Sequence, residues 1–272
     1  MIKNKWTAAP YLVWMAIFVI VPLLMVIYYA LTNDAGQFTL ENIFMIGRYS
    51  SVYGRSLLLA AEATIICLIV AFPVGYFLSR LDGNKQHIML MLLMLPMWMN
   101  FLLRTYAWMT LLEDQGLINQ FLGLFGLHWH VINTNTAIVL GMVYNFLPFM
   151  ILPLYSVMAK LDSKIIEAAQ DLGSNNYQIF KRVVLPLSAP GIVSGVTMVF
   201  VPAVSTFVIS KLLGGSKYMM IGDVIESMFM GDGCNYNVGA ALSLVLMVLM
   251  LLCMSVMRRV DRDDDEMGGM MA

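Results

Sequence analysis

DSKIIEAAQDLGSNNYQIFKRVVLP, running from Asp162 to Pro186, is the longest polar interval between two strongly apolar segments of this 272-residue chain. Asp162 or Ser163 offers a side-chain oxygen to cap a helix start. Ile165, Ile166, Ala169 and Leu172 then recur at helical spacing. Gly173 suits the left-handed turn that ends many helices. Ser174 or Asn175 begins a second run, with Tyr177, Phe180, Val183 and Val184 at three- and four-residue steps, and Pro186 is expected to stop it. The order predicts two short amphipathic helices folded into a compact knob on a membrane surface.

The flanks of this stretch decide the fold class. Apolar residues make up 60% of the chain and charged residues 12%. Soluble domains carry about 25% charged residues, so the deficit points to an integral membrane protein. Six apolar spans are predicted: 11–31, 56–79, 88–112, 137–158, 188–213 and 238–257. This is an all-α integral membrane fold of six transmembrane helices, with 1–10 and 258–272 as polar ends around a permease domain at 11–257. The first span is too long for a signal-peptide core and is expected to be retained. Prolines fall in five of the six spans and mark bent or broken helices. The intervals 32–55, 113–136 and 214–237 read as loops, and the tail from Arg258 as solvated and poorly ordered.

An even number of spans puts both ends on one side. That side holds Lys3, Lys5, Arg80, Lys85, Lys160, Lys164, Lys181, Arg182, Arg258, Arg259 and Arg262; the other holds Arg48, Arg55 and Lys217. Basic residues favour the cytoplasm, so both termini and the 162–186 knob are expected there. A net charge of -1 gives no pull toward nucleic acid. Cys67, Cys234 and Cys253 form no CxxC pair. His128 and His130 flank Trp129 in an outer loop, a pattern expected to pack or solvate rather than hold metal. No Walker A, Rossmann glycine or HExxH sequence is present. No catalytic residue, metal site or cofactor is therefore expected in this chain.

Charges inside spans are informative because each costs about 2.5–3.5 kcal/mol to insert. Glu62 lies roughly 9 Å below the outer end of the second span and Arg104 roughly 12 Å below that of the third, at about 1.5 Å per residue. Either the two pair, or Glu62 faces a transport path and takes a cationic solute. Asn100 and Asn145 are candidates for the same path or for interhelical hydrogen bonds. The outer loops hold Asp34, Glu41, Glu113, Asp114, Asp223, Glu226 and Asp232, an acidic excess that would attract a polycation. Tyr218, Phe229 and Tyr236 add aromatic faces there, and Trp98, Tyr106 and Trp108 add them nearer the membrane. The same acidity also follows from the exclusion of basic residues from outer loops.

Glu167-Ala168-Ala169, three residues, Gly173, nine residues and then Val183-Val184-Leu185-Pro186 resembles the EAA loop of ABC-importer permeases. The resemblance implies that the knob docks on a cytoplasmic ATPase, through Glu167, Ala168, Ala169, Asp171, Gly173, Leu185 and Pro186. Within it, Glu167 would brace the knob by hydrogen bonds or salt links. A second segment, Leu95-Pro96-Met97-Trp98-Met99-Asn100-Phe101-Leu102-Leu103-Arg104-Thr105-Tyr106-Ala107-Trp108 with Gly116-Leu117-Ile118-Asn119, is similar to the third span of spermidine/putrescine permeases. That family implies a bacterial inner-membrane type I importer. Its parts would be an ATPase dimer that binds ATP and Mg, a second and distinct permease subunit, and a periplasmic polyamine-binding protein. The candidate path residues are Glu62, Trp98, Asn100, Tyr106, Trp108, Asn145, Tyr218, Asp223 and Glu226. An importer of sulfate, ferric ion or phosphonate would share the knob, whereas a stand-alone secondary transporter would not need it.

Overall fold

The computed structural model describes residues 9–33, 35–231 and 234–270, with backbone alone at 9, 216 and 258–270. Asp34, Asp232, Lys3, Lys5 and Trp6, and the side chains of Arg258, Arg259 and Arg262, lie outside the described residues. Among the described residues there is no strand; Thr32 and Phe38 make one isolated antiparallel bridge. Helices α1 (Pro10–Ala30), α3 (Ser50–Ser79), α7 (Asn135–Met158) and α12 (Tyr236–Met270) are long and apolar enough to cross a membrane. Two bent pairs bring the total to six if each pair is one span. α4 (Gly83–Trp98) and α5 (Phe101–Leu112) meet at 87°, and α9 (Asn176–Leu187) and α10 (Ala189–Ser205) meet at 64°.

Several boundaries differ from those expected. The first interval read as loop contains α2 (Glu41–Met45) and a 3-10 turn, and α3 begins at Ser50 rather than Ser56. The second contains α6 (Leu117–Gly123), and the last contains α11 (Ile221–Met230). These helices are short, and in α2 and α6 the buried side chain is an asparagine, Asn42 and Asn119, so no apolar periodicity announces them. The fifth span stops at Ser205, ahead of an extended Thr206. The tail continues α12 as helix to Met270 instead of fraying at Arg258. Pro186 does not stop α9. A π turn over Phe180–Val184 precedes it, and Leu185 N–H reaches back to Phe180 O. The widened turn eases the clash between the proline ring and the preceding carbonyls. α1 repeats the device: a π turn at Ala16–Ile20, then Val21, then Pro22. The bend comes instead at Ser188, one residue before a new helix that carries Pro190 in its first turn.

The chain forms two compact units, residues 1–53 with 224–251, and 54–223 with 252–272. In the first, Ala30, Ala240 and Ala241 pack with Val26, Ile46 and Leu244. Tyr53 donates its hydroxyl to Leu242 O at 2.7 Å, and Asn42 Nδ2 ties the end of α1 through Ala30 O and Thr32 O. In the second, α7 and α10 make the closest helix pair. Gly191 and Gly195 stand four apart on α10, and a Cβ on either would press on Pro153, Leu154 or Met150 of α7. Small residues at this spacing let helix backbones approach in a membrane. The start of α11 is seated in the same way. Ile221 N–H donates to Ser56 Oγ at 2.8 Å, and Gly222 lies against the carbonyls of Ser205 and Thr206.

Candidate coupling surface and transport path

The knob is two capped helices. Asp162 Oδ1 accepts the Lys164 amide at 3.0 Å at the start of α8 (Ser163–Asp171). α8 ends in a Schellman turn: Ser174 N–H bonds Ala169 O, Gly173 N–H bonds Gln170 O, and Gly173 takes φ +79°. α9 opens with a reciprocal capping box in which Asn175 Oδ1 accepts Gln178 N–H and Gln178 Oε1 accepts Asn175 N–H, at 2.8 and 3.0 Å. One end of the linker is therefore held by backbone hydrogen bonds and the other by side chains, and the turn between the helices has little freedom to shift.

Ile179 and Val184 bury themselves and root the knob. Its outward residues stay bare. Leu172 is 87% exposed, and Ile165, Tyr177, Leu185, Ala168 and Pro186 are also exposed. An apolar patch on a polar segment marks a contact with another macromolecule. Glu167 and Asp171 are exposed on the same segment. Contrary to expectation, Glu167 makes no hydrogen bond or ion pair among the described residues; the caps brace the turn without it.

The knob is fastened to the C-terminal end of α3. Arg80 Nη1 donates to Ser163 Oγ at 3.1 Å while its guanidinium lies 5.3 Å over the Tyr76 ring. Phe180 meets Phe72 edge-on at 5.3 Å. One link comes from Phe72 within α3 and the other from Arg80 in the turn that follows it. Arg80 had entered the sequence reading only as one of the inner basic residues. The aromatic pair Tyr76 and Phe72, at helical spacing below it, is the signal for the contact.

The path candidates scatter more widely. Trp98 and Asn100 flank the break between α4 and α5, and Trp98 is 74% exposed. Asn100 is exposed, and its Oδ1 caps α5 by accepting from Leu102 and Leu103 N–H at 2.8 and 3.3 Å. The extended Met99 that follows Pro96 creates the new helix start that needs this cap. Tyr106 is exposed on α5, and Trp108 packs against Tyr144 of α7 at 5.1 Å. Asn145 is buried, its Nδ2 bonding Gly141 O at 2.8 Å and its Oδ1 left without a partner.

Of the two alternatives for Glu62, the ion pair with Arg104 does not form among the described residues. Arg104 is buried between the Phe101 and Tyr144 rings, at 5.9 and 5.7 Å, and donates Nη1 to Pro96 O at 2.7 Å. The break in its own span exposes that carbonyl and draws the guanidinium to it. Glu62 is exposed. Asp223 is buried rather than vestibular; its Oδ2 accepts Met220 N–H at 2.7 Å and secures the start of α11. Glu226 is half-buried on the same helix. The Tyr218 ring already has cations over it, Arg55 at 5.9 Å and Lys217 at 5.5 Å, both supplied by this chain. Phe229 and Tyr236 pair with each other at 6.1 Å. Of the outer histidines, His130 Nδ1 lies 2.6 Å from Asp114 Oδ1.

The chain matches a family, named relatives and solved structures. Residues 1–263 match the family described as binding-protein-dependent transport system inner membrane component. The chain is 38% identical over 96% of its length, and 96% of the relative's, to the spermidine/putrescine transport system permease protein PotB of Haemophilus influenzae. It is 37% identical, over 92% of this chain and 94% of the relative, to the protein of the same name from Escherichia coli K12. In fold it matches a chain from a bacterial ABC transporter that imports the acidic polysaccharide alginate, at 15% identity with a TM-score of 0.81, covering 96% of this chain and 97% of the other. A chain from the alginate transporter in complex with its periplasmic protein gives 0.78 at 16% identity, covering 96% of each.

Proposed function

This chain belongs to the binding-protein-dependent transport system inner membrane component family, and from that premise we propose that it is a permease subunit of an ATP-driven polyamine importer. The observation that carries the coupling role is the rigid, capped knob of 163–187, apolar on its outside and fixed to the C-terminal end of α3. The substrate class rests on the relatives named for spermidine and putrescine. ATP and Mg would be held by a separate ATPase dimer, and a second permease subunit would complete the path. A periplasmic binding protein would deliver the cation. The inner excess of basic residues supports cytoplasmic termini and a cytoplasmic knob.

The mechanism is alternating access. Closure of the ATPase dimer pushes the knob through Leu172, Ala168 and Leu185. The Schellman turn and capping box transmit that push without yielding, and Arg80 and Phe180 pass it to α3. The broken α4–α5 and α9–α10 pairs supply the hinges, because their bends are already made at Met99–Asn100 and Ser188. Trp98 and Tyr106 present aromatic faces to a passing ammonium group. No residue of this chain performs the hydrolysis.

Reconstitution with an ATPase, a second permease and a binding protein in proteoliposomes tests this reading. Polyamine-loaded binding protein should stimulate ATP turnover and drive putrescine or spermidine inward. Solute movement by the purified chain alone, or turnover indifferent to loaded binding protein, would overturn it.

A further inference from the structure

Glu62 has an unusual setting for a carboxylate inside a membrane helix. On α3 the buried face is made of small residues: Ala60, Ala63, Cys67 and Ala71 are fully buried. At about 100° per residue, from 3.6 residues per turn, Glu62 points about 180° away from Ala71. Its own face is bare. Leu58, Ile65 and Ile69 flank it at helical spacing and are 65%, 57% and 67% exposed. Glu62 forms no ion pair or hydrogen bond among the described residues, and Arg104 is committed to Pro96 O and two aromatic rings. Acyl chains cannot solvate a carboxylate, so this face cannot be a lipid face along its whole length. A carboxylate in a span faces a partner or a water-filled cavity, and no partner for Glu62 is found among the described residues.

We infer that Glu62 is the carboxylate in the membrane that receives an ammonium group of the transported polyamine, and that the Leu58–Ile69 face borders the transport path. The inference rests on the polyamine reading and adds to it a residue that holds the cargo. The apolar neighbours fit the same cargo. A polyamine alternates ammonium groups with methylene stretches, and Leu58, Ile65 and Ile69 accept the methylenes on either side of the one charge. Glu62 also stands on the helix fastened to the knob, so the push that moves α3 moves the binding carboxylate.

The test compares the whole reconstituted complex carrying Glu62→Gln or Glu62→Asp with the unaltered one. Assembly with the second permease and docking of the binding protein are followed by gel filtration. For Glu62→Gln the expected result is normal assembly and docking, with polyamine uptake reduced roughly tenfold or more, the equivalent of about 1.4 kcal/mol. Glu62→Asp should recover much of the rate. A Glu62→Cys chain lacking Cys67, Cys234 and Cys253 should react with a cationic methanethiosulfonate reagent, and spermidine should slow that reaction. Unchanged uptake in Glu62→Gln overturns the inference. So does loss of assembly in Glu62→Gln with no labelling of Glu62→Cys, which would assign the carboxylate to a subunit contact. If the unaltered complex moves no polyamine at all, the substrate reading fails instead, and the two failures are told apart.

Discussion

Gly173 shows how little of the knob's design is packing. A Cβ placed there meets nothing within 4 Å, so its requirement for glycine is the positive φ alone. An L-residue in that conformation costs roughly 1–2 kcal/mol. Gly173→Ala is therefore expected to insert normally and lose part of its substrate-stimulated ATP turnover. Gly173→Val, with the added stiffness of a branched Cβ, is expected to lose nearly all of it. An ATPase assay on the assembled complex checks both, and normal turnover in Gly173→Val would show that the turn's shape does not matter. Gly173 was legible in the sequence because a positive-φ glycine follows a periodic apolar run. Asn100 was not. A polar residue in a span reads as a path or an interhelical bond, and only the extended Met99 reveals a helix cap. Asn100→Ala should cost about 0.5–2 kcal/mol, read as a lower melting temperature in detergent, while Asn100→Asp keeps the cap.

α3 is the element that joins the knob to the membrane. Removing either fastening should uncouple hydrolysis from transport without unfolding the helix, since Arg80 and Phe180 lie at the periphery of the packed core. Arg80→Ala combined with Phe180→Ala is expected to keep ATP turnover and lose uptake. Parallel loss of both activities would place the transmission elsewhere. α7 and α10 carry the opposite expectation. At Gly195 a Cβ would stand 2.6 Å from Met150 Sδ, so Gly195→Leu should lower thermal stability by about 1–3 kcal/mol and impair every activity together. The cores of all six crossings could be read from hydropathy. Their breaks could not, because proline has more than one effect. Pro22 and Pro186 are absorbed by π turns two residues upstream. Pro73, Pro148, Pro153 and Pro202 ride inside helices. Pro190 opens a helix after a bend.

The whole chain looks built for company. α1 leaves nearly its entire apolar surface bare, with only Ala30 buried among its described side chains, and the Leu58–Ile69 face of α3 is equally uncovered. The first is all apolar, whereas the second carries the Glu62 carboxylate. Composition sufficed to read an all-helical membrane chain, and helical spacing sufficed to read its two-helix knob. The candidate path was only partly legible, because spacing cannot tell a residue that faces outward from one that caps, stacks or buries. Trp98, Tyr106 and Glu62 face out; Asn145, Trp108 and Asp223 are taken up by the fold.

In the proposed mechanism the knob receives work from another protein's nucleotide cycle. The most direct measurement replaces the exposed Leu172 with cysteine in the assembled complex and follows cross-linking to cysteines placed on the ATPase through that cycle. Efficient cross-linking to the ATPase, changing in pattern between the nucleotide-free and the vanadate-trapped complex, is the result expected. A complex that imports its solute at the full rate while Leu172→Cys never reaches the ATPase in any nucleotide state would contradict it.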